Sequence, residues 1–323
     1  MDTTRFSPRQ PLLSLSGLSA GDIAALGDVA FAYGTSRGPF RGLLDGARIG
    51  LLFTAPSTRT RTSFWSAART LGCDTLHFGA ADLQVGTGES WGDTGLVLGN
   101  YLDAAVVRTN GPQQEMEELA RFLPATVNAL SYEEHPTQAI ADLCALRGHF
   151  GPVGPSGRSL RLAYLGLVNN TARALALLAA STPGLTLDVY SPAGRGFTDD
   201  EIKALNASAD RDAITQYDRL PVAPDPVDAV YTTRWQSMGV PYEEDDWADA
   251  FRPFAVTADT MRRFSGGTEA VFMHDLPAIR ELEATSEVID GPLSLVRSQA
   301  YHKESAAAAA LLYVLGNREA PTA

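Results

Sequence analysis

Ser57-Thr58-Arg59-Thr60-Arg61-Thr62 sets two arginines and four hydroxyls in six consecutive residues. The apolar run Ile49-Gly50-Leu51-Leu52-Phe53 comes just before it and reads as a buried strand. Trp65-Ser66-Ala67-Ala68-Arg69-Thr70-Leu71 comes just after and reads as a helix. A strand, a short loop and a helix N-terminus loaded with donors make a site for a dianion. Backbone N–H groups and the helix dipole point at the ligand, and arginine offers a planar fork matched to phosphate. The competing reading is an N-cap at Ser57 followed by arginines in surface ion pairs. Arg59 and Arg61 stand two apart on the helix start, so their side chains diverge. Arg59 is assigned to the anion and Arg61 to a structural ion pair.

Other residues able to do chemistry share that kind of position. Arg108 closes the run Asp103-Ala104-Ala105-Val106-Val107-Arg108, and His135, Asn169, Arg234 and His274 each lie at or just after an apolar strand-like run. Ligands of open α/β sheets sit at the carboxyl ends of strands, so the shared location predicts one composite site. Two βα series must position these residues. In the first, strands are predicted at 48–53, 73–78, 104–108 and 126–130, with helices over 57–71, 90–102 and 113–123. A helix over 136–150, with Pro136 in its first turn, runs into Gly151-Pro152-Val153-Gly154-Pro155-Ser156-Gly157, the best domain boundary. The second series has strands at 160–165, 185–190, 228–232 and 270–273, with helices over 171–180 and 199–207. An alanine-rich stretch at 305–315 is a strong helix former. Strands alternating with helices predict an α/β fold of two doubly wound parallel-sheet domains, with the active site in the cleft between them.

The 323 residues suffice for two domains with full cores, and 45% hydrophobic with 20% charged residues is an ordinary globular composition. The start, Met1-Asp2-Thr3-Thr4-Arg5-Phe6, lacks an apolar leader core, and no run reaches membrane-spanning length. A cytoplasmic protein with no membrane partner is expected. Cys73 and Cys144 supply neither a disulfide framework nor a metal cluster and read as small core residues. A formal net charge of −12 argues against nucleic acid as a partner. It also requires that any anion site be built locally, from concentrated arginine and helix ends.

Short motifs in order along nearly the whole chain resemble the aspartate/ornithine carbamoyltransferase superfamily, nearer its ornithine branch. Ser57-Thr58-Arg59-Thr60-Arg61 is similar to the carbamoyl-phosphate motif, and Gln84-Val85-Gly86-Thr87-Gly88-Glu89-Ser90, followed by Asp93-Thr94, to the mobile loop. Arg108 resembles the carbonyl-binding arginine, and His135-Pro136-Thr137-Gln138 the His-Pro-x-Gln motif. Ser237-Met238-Gly239 and His274-Asp275-Leu276-Pro277 resemble the two amino-acid-side motifs. The resemblance implies that residues 1–150, joined by a C-terminal helix over 300–318, bind carbamoyl phosphate and that residues 158–297 bind the amino acid. The activity it implies is transfer of a carbamoyl group from carbamoyl phosphate to an amine of a small amino acid, ornithine or another diamino acid, with no metal and no cofactor. It further implies a homo-oligomer, a trimer, whose 83–91 loop reaches the neighbouring subunit's site and makes Gln84 a contact in trans. Trp91 is bulky for such a loop and is read as lining the substrate pocket. An aspartate-type acceptor and a catalytically silent paralogue stay open as alternatives.

By the same resemblance Ser57, Thr58, Arg59 and Thr60 hold the phosphate as leaving group. Thr60, Arg108 and His135 donate to the carbonyl oxygen as charge builds there, where preorganised donors are worth ~3 kcal/mol each. Gln138 holds the carbamoyl NH₂ through its amide oxygen, positioning supplies much of the remaining rate, and the leaving phosphate takes the amine's proton. His77, His149 and His302 are read as structural or exposed. On the acceptor side, Asn169 and Asn170 resemble asparagines that hold the amino acid's backbone groups. Arg234 and Gln236 look like the carboxylate grip of the aspartate enzymes, whereas Trp235 with Ser237, Met238 and Gly239 looks like the ornithine enzymes. Thr233 stands where those enzymes carry the aspartate that binds the α-amino group. His274, Asp275 and Leu276 complete the acceptor side. Asp275, in place of the ornithine-type cysteine, is expected to bind the acceptor's cationic amine; pairing with Arg280 is the competing reading. Lys303 stands where relatives usually place arginine, keeping the charge but losing the bidentate fork.

Overall fold

The computed structural model describes residues 10–154, 157–236 and 247–316. The chain divides into two compact units, Met1–Cys144 together with Tyr301–Ala323, and Ala145–Ala300. The first unit is built on a parallel sheet of β1 (Arg48–Phe53), β2 (Asp74–Gly79), β3 (Ala104–Arg108) and β4 (Thr126–Leu130), in the order β2-β1-β3-β4. The central strands β1 and β3 are apolar apart from Arg48 and Arg108 and buried apart from Arg48, as strands covered on both faces must be. Edge strand β2 is largely exposed. The connecting helices are α2 (Arg59–Leu71), α3 (Trp91–Leu98) and α4 (Gln113–Ala120), preceded by α1 (Ala20–Thr35) and followed by α5 (Pro136–Phe150).

In the second unit the parallel order is β7-β6-β5-β8-β9, from β5 (Leu160–Leu165), β6 (Leu185–Tyr190), β7 (Ile214–Tyr217), β8 (Ala229–Thr232) and β9 (Val271–His274). The helices here are α6 (Asn170–Ser181), α7 (Asp199–Ala209), α8 (Ala258–Ser265) and α9 (Ser286–Ile289); α10 (Val296–Leu315) runs on into the first unit. In both sheets the strand order reverses once, between β1 and β3 and between β5 and β8. With right-handed crossovers such a reversal sends successive helices to opposite faces, which is the doubly wound arrangement.

Register makes the strand ends level. Phe53 lies opposite Arg108, and Leu165, Thr232 and His274 lie in one row across β5, β8 and β9. The residues that follow each row therefore leave the sheet at a common edge. Gly166, with φ of 119°, turns the chain directly after β5, where an added Cβ would meet the Trp235 indole at 2.5 Å.

Several elements depart from the sequence expectation. Helix α3 ends at Leu98 rather than 102, and α4 at Ala120 rather than 123. The chain packs closely there: a Cβ on Gly95 would lie 2.7 Å from the Leu119 carbonyl oxygen, and one on Gly99 2.6 Å from that of Phe122. Trp91 is buried with Leu52, Leu83, Met116 and Leu119, so it is a core residue and not a pocket wall. Helix α1, strand β7 and helix α8 were not anticipated; the first carries a capping box, Ser19 with Asp22, that the sequence displays. Helix α10 starts at Val296, well before its alanine-rich part, and 317–323 lie outside the described residues. No helix among the described residues is long and apolar enough to cross a membrane.

Gly95→Ala should destabilise the protein by about 1–3 kcal/mol, since the clash is with backbone that cannot rotate away. Urea unfolding followed by far-UV circular dichroism checks this; a midpoint equal to the parent's would mean that α3 and α4 can part without cost.

Candidate functional site

Each unit delivers its chemically active residues to its own row of strand ends. In the first unit the loop after β1 carries Ser57, Thr58, Arg59 and Thr60 into α2. Thr58 precedes the helix without a side-chain capping bond, and Ser57 Oγ instead accepts the Arg61 N–H at 3.3 Å. Ser57 and Thr60 are buried, Arg59 is part-exposed and Thr58 is exposed. Arg61 is exposed and makes no ion pair among the described residues; burial, and after it the Arg61 charge, lowers the pKa of His77.

Arg108 ends β3 with its guanidinium buried, and Nη1 donates to Thr60 Oγ1 at 3.2 Å. His135, at the head of α5, is 4% exposed. Burial, then Lys303, then Arg108 hold its pKa well below the usual histidine range, so the ring is neutral. A neutral imidazole between two cations can donate or accept a hydrogen bond without adding charge. Gln138 lies one turn on. Its Nε2 donates to Asp142 Oδ1 at 2.7 Å, and its Oε1 accepts from Lys303 Nζ. The amide oxygen expected to hold a carbamoyl NH₂ meets the lysine through one of its two lone pairs, and Asp142 fixes which way the amide faces. Asp142 went unrecognised although its spacing of four from Gln138 on a helix was legible. Gln84 sits in a short 3₁₀ turn with its side-chain oxygen accepting from Thr87 Oγ1 at 3.0 Å.

The turn that presents His135 is pinned from a distance. Glu134, 3% exposed, accepts the Leu15 N–H at 2.8 Å and the Ser14 hydroxyl. Its backbone N–H donates to Ser131 Oγ at 3.1 Å, and its carbonyl accepts the Ser131 N–H at 3.0 Å. The N-terminal segment itself runs beside β4, with Leu12 N–H donating to Thr126 O and Asn128 N–H to Leu12 O, both at 2.8 Å.

In the second unit Asn169 caps α6, its Oδ1 accepting the N–H groups of Thr171 and Ala172, and Asn170 opens the helix. Asp275, directly after β9, accepts hydroxyl hydrogens from Thr171 and from Thr233, each at 2.8 Å. Thr171 had escaped notice because a threonine in a first helical turn carries no distinguishing signal. Arg280 pairs with Asp290 instead, so its pairing with Asp275 is excluded. His274 Nδ1 lies 3.6 Å from Asp275, but that nitrogen accepts the Leu276 N–H at 2.8 Å and carries no proton to share. The other nitrogen faces Glu283 at 3.5 Å, and the His274 N–H donates to Gln299 Oε1. These bonds shape the turn in which Leu276 adopts φ of 57° before a cis bond to Pro277. Asp275, its side chain 15% exposed, therefore has only neutral hydroxyl donors and no cation among the described residues.

Arg234 follows Thr233 at the end of β8, makes no ion pair among the described residues, and has a buried Nε with no hydrogen-bond partner. Gln236 is part-exposed beside it, and Ser237, Met238 and Gly239 lie outside the described residues. A separate groove of about 940 Å³ opens at the ends of β6 and β7, lined by Tyr190, Phe197 and Tyr217 among others; none of the acceptor-side residues belongs to it.

Burial raises the Glu134 pKa to about 7, against the opposing bonds from Ser14 and Leu15. Because the folded value exceeds the unfolded one, the folded state binds the proton more tightly. The associated stability is present below about pH 4.5 and is lost as pH rises through about 7. Glu134→Gln, which copies the protonated acid, should therefore gain on the parent by on the order of 3 kcal/mol between pH 5 and pH 8. Urea unfolding at both pH values measures this; a difference that does not change with pH would mean the carboxyl titrates normally.

Two family models cover the chain: "Aspartate/ornithine carbamoyltransferase, carbamoyl-P binding domain" over residues 10–148 and "Aspartate/ornithine carbamoyltransferase, Asp/Orn binding domain" over 158–315. An ornithine carbamoyltransferase of Gloeobacter violaceus is 36% identical over 98% of this chain and 99% of its own length. That of Bacillus subtilis is 34% identical over 94% and 93%. Among solved structures, the ornithine carbamoyltransferase of Pyrococcus furiosus superposes with a TM-score of 0.87 at 31% identity, covering 97% of this chain and 99% of that one.

Proposed function

The chain belongs to the aspartate/ornithine carbamoyltransferase family and is a carbamoyltransferase; from that premise we propose that it carries the carbamoyl group of carbamoyl phosphate to the amine of a compact diamino acid of the ornithine type. The support is a complementary pair in the second unit: Asp275 without a cation and Arg234 without an anion among the described residues, at the ends of adjacent strands. An amino acid bearing a second amine matches both, with an ammonium on Asp275 and its carboxylate on Arg234. A carboxylate so far removed from water is costly to keep unless a ligand supplies charge, which is the reason to expect a cationic acceptor.

In the first unit Ser57, Thr58, Arg59 and Thr60 would take the phosphate. Arg108, its partner Thr60 and neutral His135 would donate to the carbonyl oxygen. The uncharged amine attacks the carbonyl carbon, the tetrahedral intermediate collapses with cleavage of the carbon–oxygen bond to phosphate, and a phosphate oxygen takes the amine's proton. Lys303 adds positive charge beside His135 and meets the Gln138 amide oxygen, whose second lone pair would still take the carbamoyl NH₂. Formation of a ureido product from carbamoyl phosphate across ornithine, 2,4-diaminobutyrate, 2,3-diaminopropionate and aspartate tests the reading. A diamino acid should be preferred; preference for aspartate would favour the carboxylate-gripping role of Arg234 and Gln236, and no product with any amine would mean a silent paralogue.

Asp275→Asn should lower kcat/KM for the acceptor by about 10- to 100-fold, the loss of a charge-assisted bond, while the KM for carbamoyl phosphate changes less than about twofold. Unaltered acceptor kinetics would make Asp275 structural and move acceptor choice to Thr233 and Arg234.

A trimer, with the 83–91 loop reaching a neighbour, is part of the same proposal. Exposed apolar side chains on the first unit, Leu76 on edge strand β2, Leu96 and Val97 on α3 and Tyr101 after it, support self-association. Gln84→Ala and Arg108→Ala enzymes, each impaired alone, should regain activity after subunit exchange, because some sites then receive intact parts from both chains. No recovery after exchange verified by mass spectrometry would mean each chain completes its own site.

A further inference from the structure

We infer that Glu134 is a positioning residue for His135, and that it makes the N-terminal segment at residues 12–16 a working part of the carbamoyl-phosphate half-site. The inference rests on the role proposed above for His135, a donor to the carbonyl oxygen. No spacing in the sequence links residue 134 to residues 14 and 15. The fold links them because that segment pairs with β4, the strand that leads into the His135 turn.

Every polar group of Glu134 is used to hold this turn. The carboxylate takes Leu15 N–H and Ser14 Oγ–H, the backbone N–H donates to Ser131, and the carbonyl accepts from Ser131 and, at 3.5 Å, from Asn128 Nδ2. Asn128 Nδ2 also donates to the Leu13 carbonyl at 2.8 Å, a second strut between segment and turn. These donors come from the N-terminal segment, from β4 and from the turn itself, and none carries a charge. The His135 ring, by contrast, has a buried Nδ1 with no hydrogen-bond partner. Its direction is therefore set by the backbone that carries it rather than by a bond to the ring. A donor displaced by about 1 Å from a developing oxyanion loses much of its worth, so anchoring the peptide just before His135 should appear in kcat more than in binding.

The test is a double-mutant cycle on the full-length enzyme, with rates expressed per folded molecule. Glu134→Asp keeps the charge but shortens the reach; it should lower kcat about 10-fold with the KM for carbamoyl phosphate within about twofold. Glu134→Gln keeps both length and the acceptor for Leu15 N–H and should stay within about threefold of the parent. In a His135→Ala background Glu134→Asp should cost less than about twofold, because the residue it positions is gone. Ser14→Ala removes one anchoring hydroxyl alone and should lower kcat about threefold in the same His135-dependent way, which keeps the test open if Glu134→Asp does not fold. Equal kcat losses with and without His135, or a lowered melting temperature with kcat unchanged, would overturn the inference. If His135→Ala itself leaves kcat unchanged, the role of His135 fails first and this inference with it.

Discussion

Parallel pairing in level register is the constraint on which the rest of this molecule depends, because it brings residues from distant parts of the chain to one edge of each sheet. In the first unit Phe53 and Arg108 share a row, so the loop after β1 and the end of β3 meet at Thr60 and Arg108. In the second unit Leu165, Thr232 and His274 share a row, and Thr171, Thr233 and Asp275 converge just beyond it. A slip of one residue in β9 would point Asp275 to the opposite face and dissolve that cluster, since the side-chain period of a strand is two.

Charge is the second constraint. A protein of net charge −12 gathers Arg108 and Lys303 beside His135 in one unit. Burial first, and those cations after it, hold the His135 pKa well below the usual histidine range, which suits a neutral donor. On the acceptor side the logic inverts. Asp275 is held by the hydroxyls of Thr171 and Thr233, dipoles that orient it, and the proposed acceptor would bring the cation.

Much of this was legible in the sequence. Strands β1, β3, β4, β5 and β6 fall at their expected residues because buried parallel strands are mostly apolar runs flanked by turn residues. The hydroxyl-and-arginine loop, Arg108 and His135 were singled out by type and by position after such runs, and Asp275 by the motif that resembles the family's. What escaped was set by packing and by distant contacts. Edge strand β7 is four residues with only Ile214 buried, so it lacks the pattern of a core strand. At the early end of α3 two glycines press against the backbone of another segment, a contact that local propensity cannot express. Trp91 reads as a pocket wall in a glycine-bearing loop until the fold shows its partners.

The supporting residues of the site escaped for the same reason, and their pattern is instructive. Asp142, Thr171 and Glu134 each fix a residue expected to meet substrate, through a carboxylate or hydroxyl that reads as ordinary surface polarity in one dimension. Asp142 lies within one helix of its target, whereas Thr171 lies 104 positions from Asp275. Glu134 is anchored by a segment 119 positions away. The further the anchor lies along the chain, the less the sequence can say about it. Local patterns therefore identify the groups that would do the chemistry, whereas the accuracy with which they are aimed is written in long-range contacts.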